Sequence, residues 1–358
     1  MINVALPDPR GYGEGCTPHA LSKLDPAALH LQLHALLERG DDAEIARALR
    51  AAPDHAAYAK LWQVVCDAAN HIGTVAEQGA VVARIFALPL VIVTGSRRPA
   101  VVPGVVPDIA AVAELFKQHG ALGPARNFGL GNALCSLETV ASVGAGEIYA
   151  WTRDAGAARR ELPPAAIEIN EAGEHVHLRF LVGAGMAPAA EPSFVETASN
   201  IGVWGMPLTR ALAAQLAQPN LEVLPLARPP LDLMRAGPAG RYAQLEAAFN
   251  LFASNAVRRL RSATGDPDAV LSAHDDGDIR IGLYSPFDES LREGFRWPLH
   301  PLDDLPSLLE SVAGLLAACR VTNVHYSPTL LPALNAQGQV WYAQAGAERV
   351  TGSAPSRH

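Results

Sequence analysis

Lysine is almost missing from this chain: of 358 residues only Lys23, Lys60 and Lys117 are lysines, and arginine supplies the rest of the 28 basic residues. With so much alanine, this pattern reads as the codon bias of a GC-rich genome, so the arginine excess carries no functional meaning. Positive charge is short as a whole, since 36 acidic residues leave a formal net charge of −8. Nucleic-acid binders draw much of their affinity from phosphate contacts and show a basic surplus. The basic clusters here, Arg97-Arg98, Arg159-Arg160 and Arg258-Arg259 with Arg261, are short. Nucleic acid is therefore excluded as the expected main partner.

Cysteine is also scarce. Cys16, Cys66, Cys135 and Cys319 lie far apart with no Cys-x-x-Cys spacing, which excludes a disulfide framework of the kind that staples small secreted chains. Cys66 and Cys319 fall in apolar helical patterns, where a thiol packs as a small hydrophobe. Long apolar runs are missing too. Ile85–Val93 and Val101–Val106 are broken by Pro or Arg, far below the roughly 20 residues that span a bilayer. The amino terminus has neither a basic segment nor an apolar one, so no signal peptide is expected. These absences predict a soluble, cytoplasmic protein without a membrane partner.

Hydrophobic residues make up 49% and charged residues 18%, enough to bury a core and too apolar for a mainly disordered chain. Periodicity predicts a mixed α+β (α/β) fold, with a helical N-terminal unit ahead of a mixed sheet with two β-hairpins and a long amphipathic helix. Residues 1–24, rich in Pro and Gly, are expected to be extended. The helical unit covers 25–85, with helices starting at Asp25-Pro26, near 42 and at Pro53-Asp54, then an amphipathic segment over 74–85. The mixed body covers 86–345 and a disordered tail 346–358. The run 86–93 reads as a buried strand, although Pro89 argues against a central place for its first half. Hairpins are expected over 163–186 and over 269–285, the latter with Asp276-Gly277 as a type I′ turn. Helices are expected over 107–119, 136–142, 207–217, 239–263 and from Asp303-Asp304 onward, and closing strands near 320–326 and 339–343.

Several constellations bear on chemistry. His175 and His177 stand at i and i+2, which on a strand projects both imidazoles to one face and suits a divalent metal. A third ligand would come from Glu174, Glu196, His274, Asp275 or Asp278. The competing interpretation makes His175, His177 and Arg179 the solvent side of a half-exposed strand, with Val176, Leu178 and Phe180 inward. The loop Ser96-Arg97-Arg98 follows the strongest strand and suits an anion beyond its carboxyl end. It is not a P-loop, since no Gly-Lys-Ser/Thr follows. His274-Asp275-Asp276-Gly277-Asp278 reads as a turn rather than a calcium loop, because Ser285 stands where an EF-hand places its Glu. His30 and His34 lack the Glu of a zinc peptidase helix, and Gly129-Leu-Gly131 lacks the third glycine of a dinucleotide fingerprint. No Gly-x-Ser-x-Gly elbow is present.

Trp204, Phe295, Trp297 and His300 lie in irregular or Pro-bearing stretches and are read as an interaction surface for another protein or a second copy of the chain. The sequence thus predicts a non-catalytic protein acting through protein–protein contacts in an assembly, accessory or regulatory role. The alternative is a hydrolase or transferase using a metal at His175 and His177 or an anionic substrate at Ser96, Arg97 and Arg98.

Overall fold

The computed structural model describes residues 26–70, 72–76, 79–95, 100–122, 127–154, 162–169, 175–188, 201–224, 230–288, 292–327 and 330–334. In chain order its first elements are α1 (Pro26–Arg39), α2 (Asp42–Arg50), α3 (His55–Asn70), β1 (Ile72–Ala76), β2 (Gly79–Thr94) and β3 (Ala100–Val102). They are followed by α4 (Ile109–Gln118), β4 (Asn127–Ser136), α5 (Leu137–Ala141), α6 (Ala145–Arg153), β5 (Ile167–Ile169) and β6 (His175–Pro188). Next come α7 (Ile201–Gln215), β7 (Leu221–Val223), β8 (Leu231–Asp232) and α8 (Leu233–Thr264). The last are β9 (Asp268–Ala273), β10 (Asp278–Tyr284), β11 (Arg292–Pro298), α9 (Leu305–Ala318) and β12 (Val324–Tyr326). This is a mixed α+β fold. The described residues divide inside α8 into two compact units, one ending at Gln244 and one beginning at Leu245.

Helices begin where the sequence offers an oxygen to an orphan amide. Asp54 accepts from Ala57 N at 2.8 Å, Asp108 from Ala111 N at 3.0 Å, Ser136 from Thr139 N and Asp304 from Ser307 N at 3.1 Å. Gly40 ends α1 with φ +65, a left-handed conformation in which glycine has no Cβ penalty.

In the first unit β2 is the central strand. Along one edge it pairs antiparallel with β6 over 14 registered residues, and β4 pairs with the far side of β6. Its other edge is served by three short strands in series: β1 opposite 79–83, β8 opposite 86–87 and β7 opposite 92–94. Pro89 falls in the gap between β8 and β7. Leu224 N donates to Val91 O at 2.9 Å, so odd residues of β2 direct their backbone groups to that edge. The amide that proline lacks would have pointed where no strand stands, which reconciles Pro89 with a central strand.

Even residues of β2 (Phe86, Leu88, Leu90, Ile92) face a core shared with Val112 and Phe116 of α4 and Trp204, Leu208 and Leu212 of α7. Odd residues (Ile85, Ala87) face a second core with Leu33, Leu36 and Leu37 of α1, Leu61 and Val65 of α3 and Ile148 of α6. The sheet is therefore covered on both faces. The expected helix over 74–85 is instead β1 and the start of β2. Val75, Val81, Val82 and Ile85 are β-branched, a residue type that favours strand over helix.

The hairpin expected over 163–186 does not form. β5 pairs with β3, while β6 is paired by β2 along its whole length and by β4 over Arg179–Met186. The glycines of Gly129-Leu-Gly131 lie in β4. A Cβ on the facing Gly183 would come within 2.7 Å of Gly129 O. Pro207, expected to open a helix, lies inside α7, which starts six residues earlier.

In the second unit the sheet order is β11-β10-β9-β12. The expected hairpin at 269–285 is present as β9–β10, but its turn differs. Gly277 alone has positive φ, at 77°, and His274 N bonds Asp278 O, giving a three-residue loop where type I′ was expected. Phe249 and Phe252 of α8 pack on Phe295 and Trp297 of β11. The expected strand at 320–326 is reduced to β12, and that at 339–343 lies outside the described residues.

Candidate functional site

Side chains alternate along β6, and His175, His177 and Arg179 share the face that carries Leu181 in the core beneath α4 and α7. The register sets His175 opposite Thr94, His177 opposite Ile92, and Arg179 between Leu90 of β2 and Ser136 of β4. The polar row is thus a continuation of a buried apolar face to the end of the sheet. It is not a solvent face: Arg179 is 3% exposed, and the two histidines are partly buried. Leu178 and Phe180 do point to the other core, as the alternation implied.

Arg179 donates from Nε to Ala165 O at 3.2 Å and from NH1 to Leu178 O at 2.8 Å. Its NH2 nitrogen is buried and has no hydrogen-bond partner among the described residues. Burial lowers the Arg179 pKa against the raising effect of Glu138 on α5. Glu138 is held below the ordinary carboxylate range by its own backbone amide, then by the Ser136 hydroxyl, with Arg179 adding to both. His177 Nε2 lies 2.9 Å from Thr94 Oγ1. Its pKa is pushed down to about 4 by burial and then by the charges of Arg179 and His175. The His175 ring centroid is 6.3 Å from that of His177, and its Nε2 is buried without a partner.

The metal interpretation gains one element and loses two. The imidazoles do share a face, as predicted. Yet a guanidinium is near enough to depress His177 and would repel a cation equally. No group of three His, Cys, Asp or Glu side chains suited to a metal exists among the described residues. Of the third-ligand candidates, Glu174 and Glu196 lie outside the described residues. His274, Asp275 and Asp278 belong to the unit after Leu245, where each is otherwise engaged. Ser96, Arg97 and Arg98 also lie outside the described residues. The strand that leads to them ends at the row: Thr94 is buried, and Gly95 N donates to Asn220 O at 3.2 Å. The sequence pattern alone puts Arg179 on the solvent side. The signal that would have marked it is a polar triplet at i, i+2 and i+4 on a strand with both faces covered.

The expected contact residues separate by burial. Trp204 is 2% exposed, with its ring 5.5 Å from Phe116, and Trp297 is fully buried against Phe249. Both are core residues and present no surface, because large aromatic area is favourably removed from water. Phe295 and His300 are half-buried.

Two further clusters resemble sites but work structurally. Ser272 Oγ lies 2.9 Å from His274 Nε2, and His274 Nδ1 donates to Pro332 O at 2.8 Å, a serine–base arrangement in outline. Both residues are buried beneath the segment around Pro332. Arg280 NH1 and Asp275 hold the backbone of Ala333 in that segment. In the first unit, a cavity of about 700 Å³ is lined by Glu38, Asp42, Tyr149, Trp151, Arg153 and others. Its carboxylates are engaged, Glu38 with Tyr149 and Asp154 with Arg153. No helix among the described residues is long and apolar enough to cross a membrane. No protein-family model, curated protein or solved structure matches the chain.

Proposed function

We propose that the chain binds a small molecule at the end of the sheet where Thr94, His175, His177 and Arg179 meet. The observation that carries this is the NH2 nitrogen of Arg179, a donor on a buried guanidinium with no acceptor among the described residues. Leaving a buried donor unmet costs about 1–3 kcal/mol, and more for a charged group. A charged group left so calls for an explanation, and a bound partner that the chain does not itself supply is one. The unpartnered Nε2 of His175 on the same strand face supports the same interpretation. The test is thermal unfolding of the full chain with carboxylates, phosphates, sugars, amines and divalent metals, each at fixed ionic strength. At least one class should raise the Tm saturably in wild type and fail to do so in Arg179→Gln. If no class shifts the wild-type Tm, the proposal is wrong.

Action through protein contacts, a partner or a second copy, keeps one specific observation. Phe287 is 81% exposed, in a turn where Ser285 Oγ accepts from the amides of both Phe287 and Asp288 at 3.1 Å. That arrangement fixes the backbone of a side chain that gains nothing inside its own fold. Under this alternative, Phe287→Ser leaves the Tm unchanged and abolishes concentration-dependent association seen by light scattering. A monomeric mass at every concentration, with no stoichiometric partner retained, would count decisively against it.

A further inference from the structure

Building on that ligand site, we infer that its ligand is an organic anion, a carboxylate or phosphate held at Arg179, and that its binding draws a proton toward His177. A guanidinium N–H directed at an anionic oxygen is the strongest hydrogen bond this side chain makes. The NH2 of Arg179 has that capacity left, whereas its Nε and NH1 already hold Ala165 O and Leu178 O. From Arg179 the row continues for four residues to His175, about 13 Å along a strand. A ligand with an anionic head at Arg179 and a polar body of that length would reach the imidazoles.

The proton follows from charge balance. The groups that act on His177 are His175 and Arg179 from its own strand and the uncharged Thr94 from β2. Glu138 from α5 acts on Arg179. With His177 neutral, Arg179 and Glu138 balance one another and the row carries no net charge. A monovalent anion leaves it at −1, and a proton from solvent on the imidazole restores neutrality. Burial, and then the charge of Arg179, hold His177 neutral when the site is empty. An anion beside Arg179 cancels the electrostatic part of that effect. Thr94 Oγ1 can accept from a protonated Nε2 as readily as it donates to a neutral one, so the same contact serves both states.

The experiment is calorimetric titration of the full chain with gluconate, dimethyl phosphate, glucose and zinc chloride, the two anions keeping a single charge throughout. It is run from pH 7.5 to 5.5 at constant ionic strength, in two buffers of different ionisation enthalpy. The expected result is saturable binding of an anion but not of glucose. Affinity rises as pH falls, most steeply below pH 6.5 and by less than tenfold per unit, with a proton uptake that grows as pH falls and stays below one per ligand. Arg179→Gln should lose at least tenfold in affinity, and His177→Asn should bind without the pH dependence. Because Arg179 also holds Ala165, Arg179→Lys serves as a second variant, expected to weaken binding and keep the proton uptake. Anion binding with no proton uptake in wild type overturns the coupling. Binding of zinc or glucose alone overturns the anion and leaves the ligand site standing. Binding of nothing overturns both.

Discussion

Asp42, at the first position of α2, caps a helix it does not belong to: its Oδ1 accepts the backbone N–H of Gly146 at 2.9 Å, 104 residues along the chain. The N-cap position of α6 is Gly144, which has no side chain to do this. Losing a capping oxygen costs about 0.5–2 kcal/mol, so Asp42→Ala should lower the unfolding free energy by that amount, read as a lower urea midpoint with an unchanged m-value. Gly146→Ala should cost about 1–3 kcal/mol, the scale of overpacking, because its Cβ would lie 2.6 Å from Gly40 Cα. Equal midpoints for wild type and both variants would refute the assignment.

Asp232 is fully buried at the start of α8 and joins three elements. Arg235 NH1 donates to it at 3.1 Å, Arg84 of β2 lies 3.6 Å away, and Arg235 also bonds Asp67 of α3 at 2.5 Å. Removing one partner of a buried ion pair typically costs about 3–5 kcal/mol. Asp232→Ala should therefore unfold at markedly lower denaturant, while Asp67→Ala, at a more exposed position, should cost far less. Similar midpoints for the two would contradict this ranking.

Cysteine reactivity should follow burial. Burial pushes the thiol of Cys66 up to about 12 and that of Cys135 up to about 11, and a thiol alkylates through its thiolate. At pH 8 in the native chain, iodoacetamide should leave both peptides unmodified for as long as the fold persists. In urea both should react fully. Mass spectrometry of the digest would expose a fault if either were labelled as fast natively as unfolded.

Acid should weaken the fold through its buried histidines. The folded-state pKa of His177 lies at about 4 against an ordinary value of 6.5, so between those pH values the unfolded chain binds a proton that the folded chain does not. Stability contributed by the neutral imidazole is whole above pH 6.5, falls as pH drops toward 4, and levels off below. His274 is lowered by burial and contributes with the same sign. His177→Gln should therefore flatten, without abolishing, the decline of the urea midpoint between pH 6.5 and 4. An identical decline in the variant would rule His177 out as a source.

Local chemistry was the part of the fold most legible in the sequence. Asp54, Asp108, Ser136 and Asp304 marked helix starts because a capping bond is made within three residues. Gly277 marks a turn because φ is a property of one residue. Pairing was not legible. Whether 175–182 folds back on 167–170 or joins 79–94 depends on partners that no window contains, and β6 pairs with a strand some 90 residues earlier. The same limit hid the site. His175 and His177 stood out by composition, but Arg179 gains meaning only once helices are known to cover both faces of its strand. Trp204 and Trp297 suggest surface anchors in the sequence because no clear period surrounds them, whereas burial is decided by what packs above them.

The serial closure of β2 has a consequence for synthesis. Its partner β6 begins about 80 residues after β2 ends, and the strands β7 and β8 that finish its outer edge follow β6 in the chain. A growing chain therefore carries a long apolar strand with one complete edge unmatched until β6 emerges from the ribosome. At about 5–20 residues per second, that exposure lasts several seconds, and an unpaired apolar edge is a template for mispairing. The chain should depend on chaperone capacity while it is being made, more than the finished fold would suggest.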